Sequence, residues 1–198
     1  MSPRYFIIHK PYKMISQFVS PHKKRLLGDL DFEFPEGIHA IGRLDDNSEG
    51  LLILTTDKSL TRRLLHPDLK HSRTYIVQVE KIVSDEKLQM MSSGVDIIAK
   101  RVGHYHTMPC EVKRIEKPGW ITERQHQFRE DLPQTWLEIT LREGKYHQVR
   151  KMCSAIGHDC KRLIRTSIDN LELGDLKPGE VREMTQQDMF SRLNLMNT

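Results

Sequence analysis

Cysteine is scarce in this sequence. Cys110, Cys153 and Cys160 are an odd number without framework spacing, which excludes a disulfide-stapled secreted domain and leaves reduced thiols as the expectation. Long apolar runs are also missing. Stretches such as Leu51 to Leu54 are far too short to cross a bilayer, so no membrane span is expected. The N-terminal apolar run, Tyr5 to Ile8, has a charge on either side and no small-residue cleavage site after it, so it does not read as a signal peptide. A cytoplasmic location follows by default. No glycine-rich phosphate loop follows a strand, which disfavours a doubly wound dinucleotide fold. No internal repeat or low-complexity segment is present. His104, His106 and Cys110, like the Cys153 to Cys160 interval, lack the paired spacing of zinc ligands, so no metal site is expected.

What is present suits one compact globular unit. The chain has 198 residues, an apolar fraction of 37% and a mean hydropathy of −0.56. A net charge of +4 and a pI near 8.9 permit an anionic partner without identifying one. The arrangement says more than the total. Positive residues gather in His9-Lys10, His22 to Arg25, Arg62-Arg63, Arg142 to Lys151 and Lys161 to Arg165, although solvated faces of ordinary proteins do the same.

Strand and helix signals mix in irregular order, which favours α+β. Tyr5 to Ile8 reads as a strand stopped by Lys10-Pro11. Ile38 to Ile41 and Leu51 to Leu54 read as strands flanking a glycine-bounded polar loop. Asp57 caps a helix from Lys58 to Leu65, stopped by Pro67, and Thr74 to Val79 forms the next strand. Ser84 caps a helix ending near Gly94. Lys117 to Pro133 shows no period and reads as a long surface loop. Trp136 to Leu141 alternates as a half-buried strand and delivers a basic helix reaching Ala155. Leu163-Ile164 begins another strand, and Thr185 caps a final helix.

Taken alone, Asp45 beside Asp46 and Asn47 has the composition of a turn, because such side chains bond their own backbone. A strand tyrosine such as Tyr75 ordinarily packs in a core. The combination changes the reading. The segment Gly42-Arg43-Leu44-Asp45-Asp46-Asn47-Ser48-Glu49-Gly50-Leu51-Leu52 is followed by Glu143-Gly144-Lys145-Tyr146-His147-Gln148-Val149-Arg150-Lys151-Met152. His9-Lys10-Pro11, Thr74 to Val77, Arg162 to Arg165 and Leu173 to Arg182 accompany them in order. Together these resemble the RsuA-like branch of ribosomal RNA pseudouridine synthases across nearly the whole chain. Most of that branch carry an N-terminal S4-type RNA-binding domain, whereas this chain enters the catalytic part at His9-Lys10-Pro11, so no S4 domain is expected. That departure, and Pro118-Gly119-Trp120 ahead of Leu132, is similar to members acting on large-subunit (23S) ribosomal RNA.

The resemblance implies a pseudouridine synthase fold: two ferredoxin-like subdomains, about 1–65 and 66–198 with strands exchanged between them, forming a continuous, mainly antiparallel sheet with a central active-site cleft. It implies isomerisation of a uridine with Asp45 as nucleophile, Arg150 as the basic residue paired with it, and Tyr75 as the residue that stacks on the uracil or moves a proton. An unperturbed phenol, with a pKa of about 10, is a poor base. RNA contacts are expected from Lys10, Arg43, Arg62, Arg63, Lys145, His147, Gln148, Lys151 and Arg165, with Arg43 entering where the base leaves the stack. The rearrangement keeps every atom of the nucleoside, so no cofactor, metal or energy donor is required, and a monomer is expected. A non-catalytic RNA-binding or ribosome-assembly protein is the alternative, against which intact Asp45, Tyr75 and Arg150 count. A hydrolase using Asp45 is a third reading, but no second carboxylate is placed opposite it by the sequence.

Overall fold

A computed structural model describes residues 2–64, 70–100, 102–124, 128–129 and 131–195. In chain order the strands and helices are Tyr5–Lys10 (β1), His39–Ile41 (β2), Glu49–Thr55 (β3), Lys58–Leu64 (α1), Arg73–Glu80 (β4), Asp85–Ser93 (α2), Asp96–Ala99 (β5) and Gly103–His106 (β6). They continue with Glu111–Ile115 (β7), Gln134–Leu141 (β8), Gln148–Ala155 (α3), Cys160–Ile168 (β9), Leu171–Glu172 (β10), Val181–Met184 (β11) and Gln186–Arg192 (α4). The mixed α+β class is the expected one, with antiparallel pairing dominant. No described helix is long and apolar enough to cross a membrane.

Two units divide the chain. The first comprises Met1–His71 and Ile164–Thr198, and the second Ser72–Leu163. The C-terminal segment returns to the first unit, and the boundary falls within β9.

In the first unit, β1 lies between β11 and β3, antiparallel to both, and β2 pairs with the far side of β3. Every residue of β1 and β3 is buried, so both faces of these strands are covered. Period-two alternation sends Phe6, Ile8, Leu52 and Leu54 to one face, where they pack with Met14, Leu27 and Leu30. Tyr5 points the other way, meeting Phe190 of α4 edge-on at 5.6 Å and donating its hydroxyl to Asp57 at 2.9 Å. Asp57 also accepts the Ser59 backbone N–H at 2.8 Å, which starts α1 as its sequence suggests. The expected end of that helix at Leu65 and Pro67 lies outside the described residues.

β3 also pairs in parallel with β9, Glu49 opposite Ile164 and Gly50 opposite Arg165. Gly50 has φ +104, and a Cβ placed on it would lie 2.2 Å from the Arg165 carbonyl oxygen. Only glycine lets the two backbones approach this closely.

In the second unit, β8 lies between β4 and β7, antiparallel to both. Val77, Val79, Leu137, Ile139, Val149, Met152 and Cys153 form its core. Helix α2 is capped by Ser84, whose hydroxyl accepts the Lys87 N–H at 3.4 Å, and closes at Gly94 with φ +106. β5 and β6 form a separate hairpin that the polar sequence does not announce.

Gly50→Ala is expected to lower the unfolding free energy by about 2–5 kcal/mol in urea titration, from backbone strain and overpacking together. A loss within about 0.5 kcal/mol, the size of a surface change, would contradict the close approach of β3 and β9.

Candidate active site

Asp45 stands in the loop between β2 and β3, half-buried. The residue before it is clamped. Leu44 is buried, its backbone N–H donates to Ser16 Oγ at 3.0 Å, and its carbonyl accepts from the same hydroxyl at 2.9 Å. On the other side the Ser48 N–H donates to the Asp45 carbonyl at 3.0 Å, closing a turn over Asp46 and Asn47. The turn reading and the functional reading of Asp45 are thus compatible, because the backbone makes the turn and the side chain is a separate group. Asp46 is ion-paired with Lys24, whose ammonium holds that carboxyl below the usual range. Glu49 is 1% exposed.

Beneath this loop sits Lys10, completely buried at the end of β1. Its Nζ donates to the carbonyls of Met14 at 2.5 Å and Pro11 at 3.0 Å. Burial pushes its pKa down to about 7, opposed by the nearby carboxylates of Glu49, Asp46 and Asp45, while Arg165 adds to the lowering. The sheet register explains the gathering: Lys10 on β1 and Arg165 on β9 both lie opposite Gly50 of β3. Arg165 is 5% exposed and its Nε donates to the Leu51 carbonyl at 2.9 Å.

Tyr75 and Arg150 belong to the second unit. Tyr75, on β4 opposite Ile139, is partly buried and packs against the core there. Arg150, on α3, donates from one Nη to the Cys160 carbonyl at 3.2 Å and to its Sγ at 3.6 Å. Cys160 in turn donates to the Arg162 carbonyl at 3.4 Å. It also accepts from Cys153, which lowers the Cys160 pKa and raises that of Cys153. The Cys153 to Cys160 interval is therefore a thiol contact behind Arg150. Among the described residues no group of three His, Cys, Asp or Glu side chains is arranged to hold a metal.

The loop ahead of α3 is organised by Glu143. One of its oxygens accepts from Gln148 Nε2 at 2.6 Å and from the Met108 N–H at 2.8 Å, and the other from the Tyr105 hydroxyl at 2.5 Å. The carboxylate pushes the Tyr105 phenol up to about 12. Gln148 is 4% exposed and its amide oxygen accepts the Lys145 N–H at 2.8 Å.

Of the expected RNA contacts, Lys10, Arg165 and Gln148 are buried in this chain and hydrogen-bond to its own backbone and side chains. Arg63 donates to the Leu195 carbonyl at 2.5 Å and lies 5.0 Å over the Phe190 ring, which ties α1 to α4. Arg43 and Arg62 are exposed, and Lys145, His147 and Lys151 are partly so. A groove of about 700 Å³ beside α2, lined by Glu86, Met90, Asp96 and His106, contains none of the expected site residues. Sequence reasoning did not single out Ser16, and it named Lys24 only within a basic cluster and Cys160 only as a reduced thiol outside any metal site. Each acts here through a tertiary contact with no local signature.

Because the folded chain releases the Lys10 proton near pH 7 and the unfolded chain holds it to about 10.5, unfolding free energy is expected to rise between those values. Lys10→Met should lower stability overall, by leaving two carbonyls unpaired, and should flatten that rise. Chemical denaturation from pH 6 to 10 measures it. An unchanged pH slope in Lys10→Met would contradict a lysine of lowered pKa.

Comparison with known proteins bears on the sequence and the fold. Residues 4–155 match the RNA pseudouridylate synthase family. The ribosomal large subunit pseudouridine synthase E of Vibrio parahaemolyticus is 37% identical over 183 residues, covering 91% of this chain and 74% of that one. The protein of the same name from Xanthomonas campestris is 37% identical over 181 residues, covering 89% and 92%. The ribosomal small subunit pseudouridine synthase A of Escherichia coli K12 is 30% identical over 190 residues, covering 96% and 74%. A crystal structure of a pseudouridylate synthase superposes with a TM-score of 0.75 at 25% identity, covering 97% of this chain and 74% of that one. Sequence and fold converge, and the chain belongs to the RNA pseudouridylate synthase family.

Proposed function

We propose that this protein isomerises a specific uridine of large-subunit (23S) ribosomal RNA to pseudouridine, with Asp45 as nucleophile. The observation that carries this reading is the family match over residues 4–155, a span that contains Asp45, Tyr75 and Arg150. The large-subunit substrate is supported by relatives from Vibrio and Xanthomonas that bear that name.

In the proposed reaction the Asp45 carboxylate adds to the ribose anomeric carbon as the bond to N1 breaks with its electron pair. Uracil turns within the site and returns through C5, displacing the carboxylate. N1 takes up a proton and the C5 proton leaves, so the product has the mass of the substrate. A carboxylate does this only ionised and close to the reacting carbon. The Ser16 clamp on Leu44 and the Ser48 turn fix the backbone that carries it. Asp46 is ion-paired with Lys24, and the family motif supports Asp45 as the nucleophile.

Tyr75 stacks on the freed uracil or carries its C5 proton, and the Arg150 guanidinium favours the charged form of Asp45. Arg43 enters the RNA stack where the uridine leaves, because a base inside a paired stem does not reach a recessed carboxylate. Arg62, Lys145, His147 and Lys151 supply the outward-facing contacts, while Lys10, Gln148 and Arg165 act from within. The protein works in the cytoplasm as a monomer, on free or partly assembled RNA and without a cofactor.

The test is incubation with unmodified large-subunit ribosomal RNA and carbodiimide mapping of pseudouridine. One new site made by the unchanged protein and absent with Asp45→Asn is expected, with RNA affinity largely kept by that variant. A free base among the products, or a site still made by Asp45→Asn, would overturn the reading.

A further inference from the structure

The β5–β6 hairpin and the residues just after it are fastened to the loop ahead of α3 through the Glu143 bonds to Tyr105 and Met108, and to α3 itself through Lys151, whose Nζ donates to the Ile98 carbonyl at 2.6 Å. The Lys145 ammonium adds a contact, 4.6 Å over the Tyr105 ring. What this bracing presents outward is Tyr146. The residue is 54% exposed, and its ring stacks on His147 with centroids 3.9 Å apart and planes 17° from parallel. His147 has φ +55, a left-handed conformation that costs free energy in a residue other than glycine. The bracing on either side holds it there.

Two ammonium groups lie by the same ring, Lys100 at 5.2 Å and Lys151 at 5.4 Å from its centroid. An exposed flat ring, already stacked on a second ring and flanked by cations, has the parts needed for an unpaired nucleobase and its phosphates. The π-face takes the base and the ammonium takes the backbone charge. An acidic peptide would use the lysines but has no need of the stacked rings, and a fully paired stem hides its base faces.

We propose that Tyr146, backed by His147 and flanked by Lys100 and Lys151, is a stacking platform for an unpaired base of the RNA substrate. The proposal rests on the RNA-modifying function put forward above and adds the kind of nucleotide it engages. On binding, the base takes the ring face near the Lys100 ammonium, and Lys100 turns to the adjoining phosphate. Lys151 keeps its bond to the Ile98 carbonyl, which holds the hairpin in place, and turns its remaining ammonium hydrogens to the RNA.

Stacking and ion pairing respond differently to salt, which gives the test its resolution. Filter binding of unmodified large-subunit ribosomal RNA is measured across a potassium chloride series. Tyr146→Ala is expected to weaken binding by about 5- to 100-fold with no change in the slope of log affinity on log salt. Tyr146→Phe and Tyr146→Trp should keep the affinity, which also shows that position 146 tolerates change without unfolding. Lys100→Ala should reduce the slope by about 0.7–0.9, the contribution of one phosphate contact. On a fully paired RNA duplex, Tyr146→Ala should bind like the unchanged protein. The platform is overturned if Tyr146→Ala stays within twofold on ribosomal RNA, if the phenylalanine and tryptophan variants lose as much, or if the duplex shows the same loss. Failure of the unchanged protein to bind RNA would overturn the broader function as well, so the two failures are distinguishable.

Discussion

The buried ammonium of Lys10 is the constraint on which the loop around Asp45 depends. Taking a lysine fully out of water costs several kcal/mol unless its hydrogens are satisfied and opposite charge is near. Here two carbonyls satisfy it, and Glu49, Asp46 and Asp45 lie in its field. A neutral amine still has two hydrogens for the same carbonyls, so the hydrogen bonds survive the loss of the charge. In the same row of the sheet Lys10 and Arg165 flank Gly50, which has to be glycine because the Arg165 backbone leaves no room for a Cβ. The strand that leaves the Asp45 loop is therefore fixed at its first turn of register by packing that tolerates no side chain.

The second unit solves a comparable problem with a carboxylate. Glu143 gathers the Tyr105 hydroxyl, the Met108 amide and the Gln148 side chain, and so joins the β5–β6 hairpin to the loop that opens α3. Arg150, two residues after Gln148, is held from behind by the Cys160 carbonyl and sulfur. In both units most of the named acidic and amide groups are committed to framework contacts. The residues proposed to meet RNA are those that such contacts push outward.

Much of this was legible in the sequence. The alternation of Trp136 to Leu141 marked β8, and Ser84 and Thr185 marked their helices through caps that the structure realises, the second with Thr185 accepting the Asp188 N–H at 3.1 Å. The β5–β6 hairpin was not legible, because its four-residue strands have an exposed residue at every other position or nearly throughout. β7 likewise carries charges on its outer face and reads as polar chain. For the site, the motif marked Asp45, but a count of basic residues cannot separate a lysine at the surface from one under a loop. The sequence therefore does not show that Lys10 and Arg165 are buried, or that Arg63 is half-buried against α4. Those placements come from sheet register and helix packing, which no local pattern encodes.

The proposed reaction requires Asp45 to take part in breaking and remaking the bond between ribose and uracil. The most direct measurement is release of tritium from ribosomal RNA labelled at C5 of its uridines, since that proton leaves only when C5 bonds to the ribose. The account predicts release by the unchanged protein that plateaus at one equivalent per RNA, and none by Asp45→Asn. Release by Asp45→Asn at an undiminished rate would contradict the assignment of the nucleophile, and no release by the unchanged protein would contradict the reaction.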